Sequence, residues 1–175
     1  MGLAQDLDYR HRAANPVQNA VRWAAGTRAG AWASSHVLRH FDSSVGRLTR
    51  GRHTAASLVT GIAVLSLTTT GRRSRERRNS HLIATPLRGD LALLGTNFGQ
   101  TSTPAWALNL ESDPRCSVTY RGRTLHAMAR AATPEEVEEV FTRASSFYAG
   151  YRHYRSRIGD RRQVRVFLLC PRVHP

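Results

Sequence analysis

Residues 62–78 read IAVLSLTTTGRRSRERR, a strand signal that runs directly into a cluster of arginines. The apolar and branched residues of Ile62–Thr69 predict a β-strand, and Gly71 ends it. The seven residues that follow, 72–78, include five arginines. Hydroxyls, guanidinium groups and exposed backbone N–H groups at a strand end suit a phosphate or a polycarboxylate. A bare arginine run is more often a solvated loop, but the preceding Thr-Thr-Thr-Gly strand end favours an anion-binding loop.

Strand signals recur through the rest of the chain. They lie at His81–Leu87, Leu91–Thr96, Arg115–Tyr120, Arg123–Ala131 and Val164–Cys170. Arg88-Gly89-Asp90 and Arg121-Gly122 predict tight turns between neighbouring strands. About six short strands, mostly joined by turns, predict a small antiparallel barrel of the α+β class.

Two helices interrupt the predicted strands. The stretch PAWALNL predicts a short helix with Pro104 at its first helical position. Thr133-Pro134-Glu135-Glu136 predicts the start of a second helix, because it combines an N-cap Thr with a Glu three residues later.

Composition limits the chemistry that the chain can perform. The 175 residues suffice for one domain, and the net charge is +14 with arginine supplying all 26 basic residues. No lysine is present to form a Schiff base or a P-loop. Cys116 and Cys170 are expected in the core or in strands, in a reducing compartment. The sequence shows no metal-ligand set, nucleophile elbow or Rossmann glycines, so a bound cofactor is expected to bring the chemistry.

The N-terminal part differs from the rest. We expect residues 1–44 to form a tail and helical segment, and residues 45–175 to form the barrel domain. Pro16–Phe41 has a rough helical pattern that favours one or two helices packed on the domain, preceded by a mobile tail. Contact of this segment with a membrane surface is the alternative. Met1–Arg12 is not a secretory signal and Leu58–Leu67 is too short to span a bilayer, which favours a cytoplasmic protein.

Two further stretches carry site chemistry. Gly95-Thr96-Asn97-Phe98-Gly99 ends a strand and precedes the helix that bears Trp106 and Asn109, which suits a planar, hydrogen-bonding heterocycle. Tyr148, Tyr151 and Tyr154 are spaced by three and predicted on one helix, where they could hold an aromatic substrate. A core Trp and a half-buried helix are the structural alternatives.

Together these stretches resemble the deazaflavin-dependent nitroreductase family, whose members bind coenzyme F-420 on a split β-barrel. The resemblance covers roughly residues 45–171, with the motifs in order. The matching stretches are Gly51-Arg52-His53-Thr54, Leu67-Thr68-Thr69-Thr70-Gly71-Arg72-Arg73-Ser74, Thr96-Asn97-Phe98-Gly99, Pro104-Ala105-Trp106, Leu108-Asn109-Leu110 and Tyr148-x-x-Tyr151-x-x-Tyr154.

The resemblance implies hydride transfer from the reduced deazaflavin to an electrophilic acceptor such as a quinone or a nitroaromatic. It assigns the phosphate and the oligoglutamate tail of the coenzyme to Arg72, Arg73, Ser74 and Arg78. It assigns the ring and ribityl chain to Asn79, Ser80, His81, Leu82, Ile83, Leu94, Gly95, Thr96, Asn97, Ala105, Trp106, Ala107, Leu108 and Asn109. Tyr151 would close over the coenzyme, and Tyr148 and Tyr154 would face the substrate. No metal is implied, and the protein would be a monomer or a homodimer.

The sequence departs from the family pattern at several positions. Arg75 replaces a usual Gly, and Ile83 stands where the best-known nitroreductase has a substrate-side tyrosine. The second change affects nitroimidazole reduction more than coenzyme binding. A split barrel that binds FMN, and a basic protein that binds nucleic acid or membranes without catalysis, are the alternatives; motifs for specific nucleic-acid recognition are absent from the sequence.

Overall fold

A single residue, Ile83, joins the two strands that lie at opposite edges of the β-sheet. The structure, a computed structural model, describes residues 2–11, 18, 20, 21, 24, 27 and 61–172. Within these residues, seven strands pair in the order β2-β1-β5-β6-β7-β4-β3, all antiparallel. The strands are β1 Leu65–Thr70, β2 Arg77–Leu82, β3 Ala84–Leu87, β4 Asp90–Leu94, β5 Arg115–Tyr120, β6 Arg123–Ala131 and β7 Val166–Pro171.

The connection through Ile83 decides the shape of the sheet. β2 and β3 are consecutive in the chain but occupy the first and last places in the sheet. Since one residue spans less than 4 Å, the two edges must approach each other, and the sheet curls. The expected split β-barrel of the α+β class is confirmed.

The prediction of one strand over His81–Leu87 is wrong. Leu82 pairs with Leu65 at the beginning of β1, so β2 has no further β1 residue to pair with and the chain turns away at Ile83. The arginine loop is also shorter than the sequence suggested. Arg77 and Arg78 pair with Thr70 and Thr69, because ladder pairing overrides the loop-like composition.

The predicted turns are confirmed by their backbone angles. Arg88 and Gly89 have φ values of 51° and 92°, and Arg121 and Gly122 have 49° and 81°. Positive φ at both central residues is the geometry that matches the twist of a two-residue hairpin.

Besides helical residues at positions 18, 20, 21 and 24, four α-helices with defined bounds and two 3-10 turns complete the described structure. The helices are α1 Leu3–Asp6, α2 Ala105–Ser112, α3 Pro134–Phe147 and α4 Gly150–Ile158, and the 3-10 turns are Asn97–Gly99 and Gly159–Arg161. The capping box of α3 is confirmed, because the Glu136 N–H donates to Thr133 Oγ1 at 3.4 Å and Glu136 Oε2 accepts from the Thr133 N–H at 2.9 Å. Pro104 is the N-cap of α2 rather than its first helical residue, as the sequence had suggested.

Two apolar clusters lie on opposite faces of the curled sheet. The barrel cluster contains residues such as Leu65, Leu93 and Phe167 and is joined by Trp106 of α2. The outer cluster contains Leu94 and lies beneath α3 and α4, which contribute to it. Neighbouring residues of one strand, such as Leu93 and Leu94, thus serve different clusters, as the alternation of side chains along a strand requires.

The prediction of a mobile tail is wrong for residues 3–9. Leu3, Leu7 and Tyr9 are at most 2% exposed and belong to the barrel cluster. Leu3 and Leu7 are four residues apart, so one turn of helix presents both to the core. Most of Pro16–Phe41, the boundary at 44/45 and Gly51-Arg52-His53-Thr54 lie outside the described residues, and the described part offers no support for membrane contact.

Within the described part of the chain, no helix is both long and apolar enough to cross a membrane. Cys116 and Cys170 are both free thiols, in β5 and β7, as expected. Burial raises the pKa of Cys116 to about 12, so this thiol stays protonated.

The burial of α1 leads to a stability prediction. Leu3→Ala should lower the free energy of unfolding by about 2–4 kcal/mol, because it opens a cavity in the barrel cluster. Arg10→Gln, in the same segment but with a side chain 79% exposed, is the matched control and should change it by less than about 0.5 kcal/mol. Urea denaturation measures both, and equal small effects would show that α1 does not contribute to the core.

Candidate functional site

The arginine loop, residues 71–76, is closed by its own backbone. The Gly71 N–H donates to the Glu76 carbonyl at 2.7 Å, and the Arg75 N–H donates to the Gly71 carbonyl at 2.8 Å. A Cβ at position 71 would lie 2.6 Å from Ser74 Oγ, so a side chain there would have to displace the Ser74 hydroxyl. The loop is therefore a tight turn that holds its side chains outward.

Arg75 occupies the left-handed backbone region with a φ of 60°. A residue with a side chain is disfavoured there by roughly 1–2 kcal/mol, whereas glycine is not. Arg75 stands where the family usually has Gly, and its backbone keeps the left-handed conformation that glycine favours. It adds a further guanidinium to the loop.

Most of the charge in this region has no acidic partner. Arg78 Nη2 pairs with Glu76 Oε2 at 2.8 Å and donates to Ser74 Oγ at 3.2 Å. Among the described residues, the other four arginines of the cluster form no ion pair, and all are exposed: Arg72, Arg73, Arg75 and Arg77. The cluster therefore presents uncompensated positive charge to solvent.

Asn109 of α2 links the arginine loop to the sheet. Its Nδ2 donates to Thr69 Oγ1 at 3.0 Å, and its Oδ1 accepts from the Arg72 N–H at 3.1 Å. Asn109 and Thr69 are 6% and 2% exposed. A buried amide that satisfies both partners fixes the relative position of β1, the loop and α2.

The loop 96–100 is the second element of the site. Asn97, Phe98 and Gly99 have consecutive positive φ values of 47°, 56° and 80°. Asn97 Nδ2 donates to the Ser102 carbonyl at 3.1 Å and to Ser102 Oγ at 3.0 Å. A Cβ at Gly99 would come within 3.3 Å of Tyr154 Cα, so this loop packs directly on α4.

Arg157 Nη1 donates to the Phe98 carbonyl of loop 96–100 at 3.4 Å. Both ends of the loop are held by Arg162, which sequence reasoning missed. Its Nη2 donates to the carbonyls of Thr96 at 3.0 Å and Gln100 at 3.2 Å, and its Nε donates to Gln100 as well. Burial, with repulsion from Arg165, lowers the pKa of this guanidinium, though it stays charged. Among 26 arginines the sequence offers no signal that would distinguish this one.

The three tyrosines form one buried group, but only two lie on a helix. Tyr151 and Tyr154 belong to α4, whereas Tyr148 caps the end of α3, because the chain breaks between the two helices. The Tyr148 and Tyr154 hydroxyls hydrogen-bond to each other at 2.7 Å. Ring centroids of the three pairs lie 5.5–6.2 Å apart in edge-to-face contacts.

The hydroxyl of Tyr151 differs from the other two. Within the described residues it has no hydrogen-bond partner, although the side chain is only 5% exposed. Burial raises the pKa of all three hydroxyls, so each keeps its proton at neutral pH.

Burial separates the predicted site residues into two groups. Those accessible to a ligand are Arg72, Arg73, Ser74, Arg78, Asn79, His81 and Ala105, with Ser80, Leu82, Ile83, Asn97 and Leu108 half-buried. Those buried are Leu94, Gly95, Thr96, Trp106, Ala107 and Asn109. Trp106 contacts Phe167 edge-on, with centroids 6.1 Å apart, which is the core role that the sequence left as the alternative.

The described residues do not bring every predicted element together. Ile83 and Phe98 pack against the outer cluster that contains the tyrosines. No described hydrogen bond or ring contact joins the arginine loop to that cluster. Neither does the described part of the chain contain a group of three His, Cys, Asp or Glu side chains that could hold a metal ion.

Comparison with known proteins gives a family and a fold. A model of the F420H(2)-dependent quinone reductase family matches residues 38–171. An F420-H2 dependent reductase, FDR-A, is 28% identical with a TM-score of 0.55, covering 61% of this chain and 93% of its own. A protein whose structure is a domain-swapped dimer is 25% identical with a TM-score of 0.57, covering 79% and 96%. A protein of unknown function from Agrobacterium tumefaciens, 23% identical with a TM-score of 0.50 and covering 61% and 47%, shares the fold.

The role of Asn109 can be tested by its removal. Asn109→Ala leaves the buried Thr69 hydroxyl and the Arg72 N–H without their partner, so the free energy of unfolding should fall by about 1–3 kcal/mol. Asn79→Ala is the control, because Asn79 accepts a hydrogen bond from Thr68 on an exposed strand, and it should cost less than about 0.5 kcal/mol. Similar costs in chemical denaturation would argue against a fixed junction at Asn109.

Proposed function

The chain belongs to the F420H(2)-dependent quinone reductase family, and from this membership we propose that it transfers a hydride from reduced coenzyme F-420 to a quinone. It is an oxidoreductase that depends on this reductant. The observation that carries the proposal is the arginine loop, which offers unpaired guanidinium groups at the end of a strand of the family's barrel.

The loop fits a polyanion with an aromatic head. Four of the five guanidinium groups of the cluster have no acidic partner among the described residues, and the turn 71–76 is closed by two backbone hydrogen bonds. Arg72, Arg73, Ser74 and Arg78 would hold the phosphate and the oligoglutamate tail, since guanidinium forks pair with both anions. The coenzyme, when bound, supplies the hydride; the residues of this chain bind and orient it.

Burial suggests that the remaining coenzyme-site residues divide by role. The exposed and half-buried side chains from Asn79 to Ile83, together with Asn97, Ala105 and Leu108, would contact the ring and the ribityl chain. The buried residues Leu94, Gly95, Thr96, Trp106, Ala107 and Asn109 would support that surface from behind. Positioned contacts of this kind depend on a packed layer beneath them.

Tyr151 is the tyrosine best suited to act on the acceptor. A quinone that receives a hydride becomes an anion and must take up one proton. The Tyr151 hydroxyl keeps its proton and has no partner among the described residues, so it can donate a hydrogen bond to the quinone oxygen on which negative charge develops, while solvent supplies the proton that this oxygen takes up. Tyr148 and Tyr154 are bonded to each other and would form the wall behind it.

A quinone is favoured over a nitroaromatic by Ile83. This half-buried residue packs against the tyrosine cluster, where it provides apolar surface and no hydroxyl. An apolar acceptor gains from such a surface, whereas a nitro group loses a potential donor there. The alternative of an FMN-dependent barrel would be recognised by flavin absorbance of the purified protein.

Removal of two loop arginines should weaken coenzyme binding. Arg72→Ala with Arg73→Ala removes two unpaired charges, so the dissociation constant should rise at least about tenfold from a micromolar value, with a weaker dependence on salt. Titration of intrinsic tryptophan fluorescence with the coenzyme measures it.

Arg121→Ala with Arg123→Ala is the control for net charge. It removes the same charge from the β5–β6 turn, at the opposite end of β5 from the arginine loop. If both double variants weaken coenzyme binding equally, the effect comes from net charge and not from the arginine loop. If the coenzyme does not quench the tryptophan fluorescence of the wild type, the protein does not bind it.

Loss of the Tyr151 hydroxyl should lower turnover and leave stability intact. We expect Tyr151→Phe to reduce kcat with a quinone about tenfold or more, because the hydrogen bond to the developing oxyanion is lost. Tyr154→Phe should instead cost about 1 kcal/mol of stability, since it breaks the 2.7 Å bond to Tyr148. Acceptor-dependent oxidation of the reduced coenzyme and thermal unfolding separate the two effects. Unchanged turnover in Tyr151→Phe would remove this tyrosine from the reaction.

A further inference from the structure

The barrel splits at a defined pair of residues. The β1–β2 register pairs Leu65 with Leu82. Continued by two residues, that register would pair Ala63 with Ala84 as the next ladder step on the same face. Instead, β2 ends at Leu82, Ala84 begins β3, and the side chains of Tyr9 and His11 contact both backbones.

Tyr9 and His11 satisfy all four backbone polar groups of these two alanines. The Tyr9 hydroxyl donates to the Ala63 carbonyl at 2.6 Å and accepts from the Ala84 N–H at 3.0 Å. His11 Nδ1 accepts from the Ala63 N–H at 3.3 Å, so Nε2 carries the proton and donates to the Ala84 carbonyl at 2.8 Å. The two side chains thus take the place of the backbone hydrogen bonds that a further β1–β2 residue pair would make.

His11 reaches the tyrosine cluster, and the Tyr9 ring meets the His11 ring edge-on with centroids 5.4 Å apart. The His11 ring stacks on Phe147 with centroids 3.9 Å apart and an interplanar angle of 25°. Phe147 in turn meets the Tyr151 ring edge-on at 6.3 Å. Hydrogen bonds to Ala63 and Ala84 fix the half-buried His11 ring, and an aromatic chain continues from it to the ring of Tyr151, whose hydroxyl we assign to the reaction.

We propose that Tyr9 and His11 form an N-terminal wedge that positions Tyr151 for the reaction, an inference that rests on the proposed function. Both residues precede residues 38–171, the part that matches the family, so the wedge is a contribution of this chain's own N-terminal segment. They are positioning residues, because they act through Phe147 and the backbones of Ala63 and Ala84 rather than on the acceptor.

Four variants of the full chain test the contribution of the wedge residues. Tyr9→Phe removes one hydroxyl, and His11→Phe keeps a ring for Phe147 but loses both hydrogen bonds. His11→Gln keeps a donor and an acceptor and should restore part of the loss. Arg10→Gln lies between the two wedge residues, has a side chain 79% exposed, and is the matched control.

The first readout is kinetic and is scaled to folded protein. Tyr9→Phe and His11→Phe should lower kcat with a quinone about tenfold and leave the dissociation constant of the coenzyme unchanged, whereas Arg10→Gln changes neither. A purely structural role would lower the melting temperature but not the kcat of the folded fraction. Unchanged kcat, or equal losses in kcat and coenzyme affinity, would overturn the proposal.

The second readout needs neither coenzyme nor acceptor. Hydrogen exchange in the free protein should accelerate in residues 147–154 of Tyr9→Phe and His11→Phe, with partial recovery in His11→Gln and no change in the β5–β6 hairpin. Uniform acceleration, or none, contradicts the wedge. If the wild type fails to oxidise the reduced coenzyme, the proposed function fails, and hydrogen exchange still decides whether the wedge holds Tyr151. If His11→Phe does not fold, Tyr9→Phe and His11→Gln decide.

Discussion

The connection of two sheet edges through Ile83 is the constraint on which the rest of the structure depends. It forces the sheet to curl, which creates a barrel interior for Trp106 and Phe167 and a separate outer face for α3 and α4. It also ends the β1–β2 ladder at Leu65 and Leu82, so that the backbones beyond need other partners. Where a ladder is interrupted, backbone N–H and C=O groups lose their partners and need others. Here side chains from a segment distant in sequence provide those hydrogen-bond partners.

The site is built from strained or irregular loops that are held by a few polar side chains. Asn97 and Phe98 occupy the left-handed region, and a guanidinium from Arg162 fastens the carbonyls on both sides of them. Asn109 fixes the arginine loop in the same way. Such conformations persist only where the surroundings determine them, and they cluster at functional sites. The exposed residues can therefore meet a ligand while buried neighbours keep the shape.

Most of the fold could be predicted from patterns of residues close in sequence. The features that the sequence did not predict depend on pairing between residues far apart in sequence. The hairpin turns and the α3 capping box follow from residues close in sequence, and both are present. The break at Ile83 depends on where β1 begins, which no local pattern reports. The motifs located the Arg72 loop and the tyrosines, whereas Arg162 acts through carbonyls of a loop more than 60 residues away and is invisible among so many arginines.

The acidic residues are distributed so that they neutralise arginines on the helical side of the molecule and leave the positive charge concentrated at the arginine loop. Three glutamates of α3 each pair with a guanidinium from another element: Glu136 with Arg130, Glu138 with Arg155 and Glu139 with Arg88. Such exposed pairs add little stability individually, but they cancel charge on the helical side of the molecule. Among the described residues, the arginines of 72–78 form one ion pair, between Arg78 and Glu76. A polyanion approaching within about 10 Å therefore meets a field that favours the loop over the helices, which is the directed attraction that our proposal of an anionic coenzyme at this loop requires.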